Sequence, residues 1–410
     1  MDGRMIFESR VPPKARYAYA MDTWSGSIGN IALGLTMPFV SVIALATLDA
    51  SKLEMSILTA TPVAGSLLSL LWARIMEGRR KMPFMVGAIL LSRSLLLLTF
   101  MATTSPRFVA LVSFVYILGS TSGPAYSALM KEMYPDGDRA RIMAYVRVIA
   151  QSVSMIATFV AGHWLIPKLG YKPVFVVAGV FGVISPLIFR VIPTSEASGD
   201  ADVSHWEFFS DSVNILRHDL GFRWFCGGIF MFGFANFMCV PLYEMYKVNV
   251  LGVRELWASI YSNVVALMAI AGYFYWGSFV DRQTPVRTIA ITTLIWTSIP
   301  LLFCVATQAW MLLPVMIIMG AVSAAIDLSY FNGVLYFAPE EKVTQYQAVF
   351  ATLVGVRGLV APFVGTTLLH WMPMKVIFVI SAAMTLCGYF VLVAGMRKHG
   401  KPQAAEVHST

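Results

Sequence analysis

Twelve long apolar runs fill most of this chain, at 17–46, 54–76, 82–104, 107–133, 140–166, 172–192, 222–250, 256–280, 287–307, 309–338, 343–371 and 374–396. The hydrocarbon core of a bilayer is about 30 Å thick, so an apolar run of about 20 residues is long enough to cross it as a helix. Inside lipid the backbone finds no water to bond, which favours helices that satisfy their own amides. Only 13% of the 410 residues are charged and 58% are hydrophobic, against about 25% charged in soluble domains. The chain has too little polar surface to fold in water. The expectation is an all-α integral membrane protein with twelve transmembrane helices.

The net charge of +8 does not point to nucleic acid, because the basic residues gather in alternate loops. With the N-terminus inside, the inner tails and loops hold about three times as many Lys and Arg as the outer ones. The positive-inside rule then puts both termini in the cytoplasm, and the expected location is the cell (inner) membrane. The N-terminus shows no cleavable signal peptide, since a polar stretch with Arg4, Arg10, Lys14 and Arg16 precedes an apolar run longer than an h-region. Cys226, Cys239, Cys304 and Cys387 all lie in apolar runs without CxxC spacing, which reads as buried small hydrophobes. His163 and His370 make no metal-ligand cluster, and no cofactor or metal is expected.

The long polar connection begins at Pro193-Thr-Ser-Glu-Ala-Ser-Gly and continues into Trp206, Phe209, Val213, Leu216 and Leu220 at helical spacing. It reads as a flexible linker followed by an amphipathic helix along the inner surface. The expected organisation is a tail over 1–16, a six-helix bundle over 17–192, a linker over 193–221, a second bundle over 222–396 and a tail over 397–410.

The two bundles read as copies. A shift of 203 places Met37-Pro38 on Val240-Pro241, Leu53, Ser56 and Ile57 on Leu256, Ser259 and Ile260, and Gly162 on Gly365. A shift of 204 places Trp72 on Trp276, Glu77 on Asp281 and Ser94 on Ser298. Parallel repeats of six helices characterise one large transporter architecture. The inner-loop stretch Trp276-Gly-Ser-Phe-Val-Asp-Arg-Gln-Thr-Pro-Val-Arg287 and its cruder copy Trp72-Ala-Arg-Ile-Met-Glu-Gly-Arg-Arg-Lys81 complete the pattern.

On these residues the chain resembles the major facilitator superfamily over essentially its full length, in an unassigned bacterial-type branch. The family signature Gly-x-x-x-Asp-Arg-x-Gly-(Arg/Lys)-(Arg/Lys) is matched by Gly277, Asp281 and Arg282. Its first-half form offers Ala73, Glu77, Arg79, Arg80 and Lys81. Both copies lack the second glycine, so the turn there is expected to be built differently. The resemblance implies a twelve-helix fold of two pseudo-symmetric bundles and a gate at Glu77, Arg79, Arg80, Gly277, Asp281 and Arg282. Such a gate would hold the inner mouth shut through helix ends and arginine–carboxylate pairs; a topology anchor without a gating role is the plainer reading. The drug–proton antiporter signatures are missing: Val115 stands at the span-four arginine position relative to Gly119, and Ala157-Thr-Phe-Val-Ala-Gly162 keeps only the last glycine of the span-five motif. The sugar-porter signature after span six is absent too.

Charged groups within spans cost about 2.5–3.5 kcal/mol each on insertion scales, so they need partners, water or a role. The cavity candidates are Asp22, Asn30, Asn236, Asp327, Tyr330, Asn332 and Arg357. An acid and a guanidinium on facing helices, Asp327 and Arg357, suit a zwitterion or an anion; alternatively Asp327 picks up a proton as its neighbourhood changes, and the plainer reading is a permanent Asp327–Arg357 or backbone-paired network. Arg93 is expected to serve a structural network with backbone or Asp22, Arg147 to snorkel at an inner helix end, and Glu244 to pair with Lys247 at the outer mouth. The expected protein is a monomeric, proton-driven secondary transporter of a small solute and not an enzyme. The rival is a transporter-shaped sensor or scaffold whose output surface is the linker helix. Deleting residues 200–220 separates the two.

Overall fold

The structure, a computed structural model, describes residues 6–76, 79–135, 137–194, 215–339 and 342–399. At some helical positions, Gly277, Asp281 and Arg282 among them, it describes the backbone alone. Among these residues there are twelve long helical segments. The first six are α1 (Pro13–Thr47), α2 (Lys52–Ile75), α3 (Lys81–Met101), α4 (Ser105–Met133), α5 (Arg141–Leu169) and α6 (Tyr171–Phe189). The second six are α7 (Leu220–Val250), α8 (Glu255–Arg282), α9 (Pro285–Val305), α10 (Ala309–Phe337), α11 (Val343–Leu368) and α12 (Met374–His399). Eleven are long and apolar enough to cross a membrane. The other, α2, has 24 residues and so runs about 36 Å.

The two sets of six pack alike. In the first, α1 lies against α5 and α6, α2 against α4, and α3 against α4 and α6. In the second, α7 lies against α11 and α12, α8 against α10, and α9 against α10 and α12. Shifting every helix by six maps one pairing scheme onto the other, giving two pseudo-symmetric six-helix bundles. The backbone repeats as well. A wider π turn closes α1 at Ile43–Thr47 and another closes α7 at Tyr246–Val250, the same offset of 203 seen in the sequence.

Local chemistry explains where helices begin, break and end. Asp219 caps α7 by accepting from the Phe222 amide at 2.8 Å. Gly170 and Gly252, at φ +77 and +63, supply the left-handed residue in the turns before α6 and α8. Two expected spans are interrupted: α4 breaks after Gly119 and α9 after Trp296. At both breaks hydroxyls bond back to carbonyls, Ser120 to Ile117 at 2.7 Å and Ser298 to Ile295 at 2.7 Å, which loosens a helix. Pro300 adds a missing amide two residues beyond the second break.

Neither inner-loop signature stretch has the second glycine, and the described residues at each make local bonds. Between α8 and α9, the Thr284 hydroxyl accepts from the Arg287 amide at 3.3 Å with Pro285 at the first helical position. Between α2 and α3, the Lys81 ammonium donates to the Met76 carbonyl and, at 2.8 Å, to that of Arg79. The tail is less free than its polarity suggests. Phe7 stacks on Tyr145 with ring centres 4.6 Å apart, Tyr19 donates to the Ile6 carbonyl, and Val11 is buried. Of the expected linker helix, Trp206, Phe209 and Val213 lie outside the described residues. Leu216 and its neighbour Ile215 pack into the core of α7, α9, α10 and α11, and Leu220 is exposed.

The end where α1 begins and α12 finishes is the terminal face; the opposite end is the far face. The apolar core at the far face draws on both bundles, joining Val42, Ile43, Met55 and Ala161 to Met245, Val248 and Ala258. At the terminal face the cores are separate: one holds Tyr19, Met76, Leu129, Tyr134 and Phe189, the other Phe222, Phe225, Ile289, Val334 and Phe350. Among the described residues, the buried core is shared between the bundles at one end and divided at the other.

Candidate functional site

Two pseudo-symmetric seams hold the far face shut. On one, the Ser56 hydroxyl of α2 lies 2.5 Å from that of Thr366 on α11 and 3.3 Å from the Pro362 carbonyl. Further along, Gly358 and Gly355 let α11 lie against Val63 and Leu67. On the other, Gly162 of α5 lets α8 approach so closely that a Cβ there would meet the Glu255 carbonyl and the Ser259 Cβ at 2.6 Å. Asn263 then donates to the Met155 carbonyl at 3.1 Å. Ser56 and Ser259 are the matched serines of the repeat. The equivalent π turns of α1 and α7 touch each other between the seams.

Below the α5–α8 seam, Asn30, Gln151, Ser154, Thr158, Ser262 and Asn263 help to line a cavity of about 250 Å³ between α1, α5 and α8. Asn30, predicted as a cavity residue, donates to the Gly26 carbonyl at 2.9 Å. Gln151, Ser154 and Thr158 had not been singled out. With Arg147 they fall at i, i+4, i+7 and i+11, one face of a helix, and that polar stripe in an apolar span was legible had uncharged residues been weighed with charged ones.

Toward the terminal face the walls carry the charges. Asp22 is 2% exposed and accepts from the Tyr134 hydroxyl at 2.8 Å and from Tyr126 at 3.2 Å. Arg93 is not its partner; the stem of Arg93 packs on Gly182, and its guanidinium acts on Tyr116. Arg147 does more than snorkel: it is close enough to act electrostatically on Asp22 in its own bundle and on Tyr273 across the cleft. Tyr273 donates to Asp327 at 2.9 Å, and Tyr273, Asp327 and Arg147 are all exposed. Glu244 meets Lys247 at 2.7 Å as expected.

Asp327 and Arg357 are not paired. Arg357 is 2% exposed and donates to the Ile229 carbonyl and, at 3.1 Å, to the Tyr330 hydroxyl. Its guanidinium carbon lies 5.6 Å from the Tyr330 ring centre and 5.9 Å from that of Phe237. Gly233 makes room for it, since a Cβ there would fall 2.0 Å from that carbon. Asn236 and Asn332 are half-buried on α7 and α10. Of the expected gate, Glu77 lies outside the described residues, as do the side chains of Asp281 and Arg282; Arg79 and Arg80 are exposed. Among the described residues no group of His, Cys, Asp and Glu is arranged to hold a metal.

Comparisons with known proteins agree with this geometry. The model of a family described as the Major Facilitator Superfamily matches residues 24–289 and 261–409. A search of curated proteins finds no match. Among solved structures, the chain is similar to the nucleoside transporter NupG, with a TM-score of 0.73, 12% identity and coverage of 92% of this chain and 99% of that one. It is also similar to a bacterial homologue of the human lysosomal transporter Spinster, solved in an inward-facing and occupied conformation. There the TM-score is 0.69 at 14% identity, covering 94% of this chain and 97% of that one.

Proposed function

The chain belongs to the major facilitator superfamily, and we propose that it is a secondary transporter that carries a small solute by alternating access, driven by protons. One observation carries the reading. The halves share a core at the far face and part at the terminal face around a polar, charge-bearing wall. A rocking motion that opens the Ser56–Thr366 and Gly162–Ser259 seams would expose the same wall to the other side. In this reading the bundles over 17–192 and 222–396 move as units and the terminal face is cytoplasmic, in keeping with its excess of Lys and Arg. The structure is then the inward-open state of a monomer in the cell membrane. In this reading the two inner-loop stretches, with Arg79, Arg80 and Lys81 in one and Asp281 and Arg282 in the other, form the gate that closes in the opposite state.

Asp327 is the proton carrier in this scheme. It is exposed on α10 and accepts a hydrogen bond from Tyr273, and in this reading its surroundings lose water when the mouth shuts. A change of surroundings between states is what shifts a carboxylate between its two forms. The test uses protein in proteoliposomes with a solute found by ligand stabilisation. Asp327→Asn should keep solute exchange and lose accumulation driven by an imposed pH gradient. Wild-type accumulation in that variant would remove Asp327 from the coupling.

A further inference from the structure

The matched tyrosines of the two halves are used in opposite ways. Tyr126 and Tyr330 stand 204 positions apart, the offset of the repeat, on equivalent helices α4 and α10. The Tyr126 hydroxyl donates to a built-in anion, Asp22. The Tyr330 hydroxyl instead accepts from a cation, Arg357, which turns its own proton away from the guanidinium with no described acceptor. Around Arg357 no carboxylate of a described residue is within ion-pair reach, and its Nε is buried without a hydrogen-bond partner. A guanidinium held this deep within a bilayer-spanning bundle is costly without a counter-charge. The first half sets a carboxylate against its tyrosine, whereas in the second the tyrosine meets a cation that no carboxylate of a described residue pairs with. Tyr330 is half-buried against the guanidinium, and Asp327, one turn before it on α10, is exposed.

We infer that the carried solute is an organic anion, a carboxylate or phosphate, whose oxygens are received by the Tyr330 hydroxyl and by the Arg357 guanidinium behind it. This rests on the transporter reading above and adds to it the chemical class of the solute. The electrostatics favour such a ligand twice: a charge-assisted bond from guanidinium or polarised hydroxyl is shorter and stronger than a neutral one, and binding neutralises a buried charge.

The test is thermal unfolding of the full-length purified protein with benzoate, phenyl phosphate and the neutral isostere benzamide. The expected result is that benzoate or phenyl phosphate raises Tm by about 2 °C or more and benzamide does not; which of the two acts separates carboxylate from phosphate. Arg357→Gln should abolish the anion shift while leaving the ligand-free Tm at or above wild type, because it removes an uncompensated charge. A merely structural arginine would show the reverse, a lower ligand-free Tm with no anion effect in either protein. Tyr330→Phe, which keeps the ring, should weaken anion binding roughly tenfold. Equal stabilisation by benzamide, no stabilisation by either anion, or anion shifts that survive both substitutions would overturn the assignment. The two readings fail separately. An anion that binds through Arg357 but is not carried into proteoliposomes defeats transport alone, and uptake of a neutral solute with no anion effect defeats the anion site alone.

Discussion

Asp22 and Arg357 show how differently two buried charges can be treated within one molecule. Asp22 has two phenol donors and ties α1 to α4, so its surroundings are built for a carboxylate. Arg357 has one carbonyl, one phenol and two aromatic faces. Removing the shorter bond to Asp22 by Tyr134→Phe should cost about 1.5–3 kcal/mol, the range for hydrogen bonds to charged groups. Tyr126→Phe, with bonds of 3.2 and 3.4 Å, should cost less. Thermal unfolding of the two variants ranks them, and equal or negligible losses would mean that Asp22 is held by something else. The sequence singles out Asp22, Asp327 and Arg357 because an ionised group in an apolar run is conspicuous. It does not reveal their partners: tyrosines 104 and 112 residues from Asp22 meet it only through helix packing, and Tyr273 was hidden among ordinary interfacial aromatics.

At the scale of helices, the duplication was legible because side chains at the seams cannot change freely. Gly162, Ser56 and Ser259 each sit where two helices touch, and small residues are what allow helices in a bilayer to approach. The breaks in α4 and α9 were not legible, since hydroxyl back-bonding depends on rotamers rather than composition. Glycines at two kinds of helix crossing should behave differently. Gly34 packs within one bundle, where a Cβ would lie 2.5 Å from the Ser154 carbonyl. Gly34→Ala should lower stability by about 1–3 kcal/mol through overpacking. Gly162→Ala puts its methyl into the α5–α8 seam; if the far face opens by alternating access as proposed, that seam comes apart and the same crowding should move the population toward the far-open state instead. Reactivity of a cysteine introduced at Ser259 toward an impermeant thiol reagent added on the far side measures this in a background without native cysteines. A rise for Gly162→Ala and none for Gly34→Ala is expected; identical behaviour would mean that the seam does not open.

For the whole molecule, the asymmetry between its two ends is the feature from which function follows. Among the described residues, one apolar core draws on both bundles at the far face, beside another of the second bundle alone, whereas the two cores at the terminal face each belong to one bundle. Composition and span length gave the membrane setting and the twelve helices, because hydrocarbon imposes length and apolarity on each. They say nothing about how the halves meet at each end, since that depends on packing between helices far apart in sequence. The most direct measurement places spin labels in membrane-embedded protein at Lys131 and Lys342 on the terminal face, and in a second sample at Lys52 and His370 on the far face, all four exposed in the structure. Alternating access predicts that on acidification or addition of the bound solute one distance shortens as the other lengthens. Distances that stay fixed at both faces, or that change together in the same direction, would contradict it.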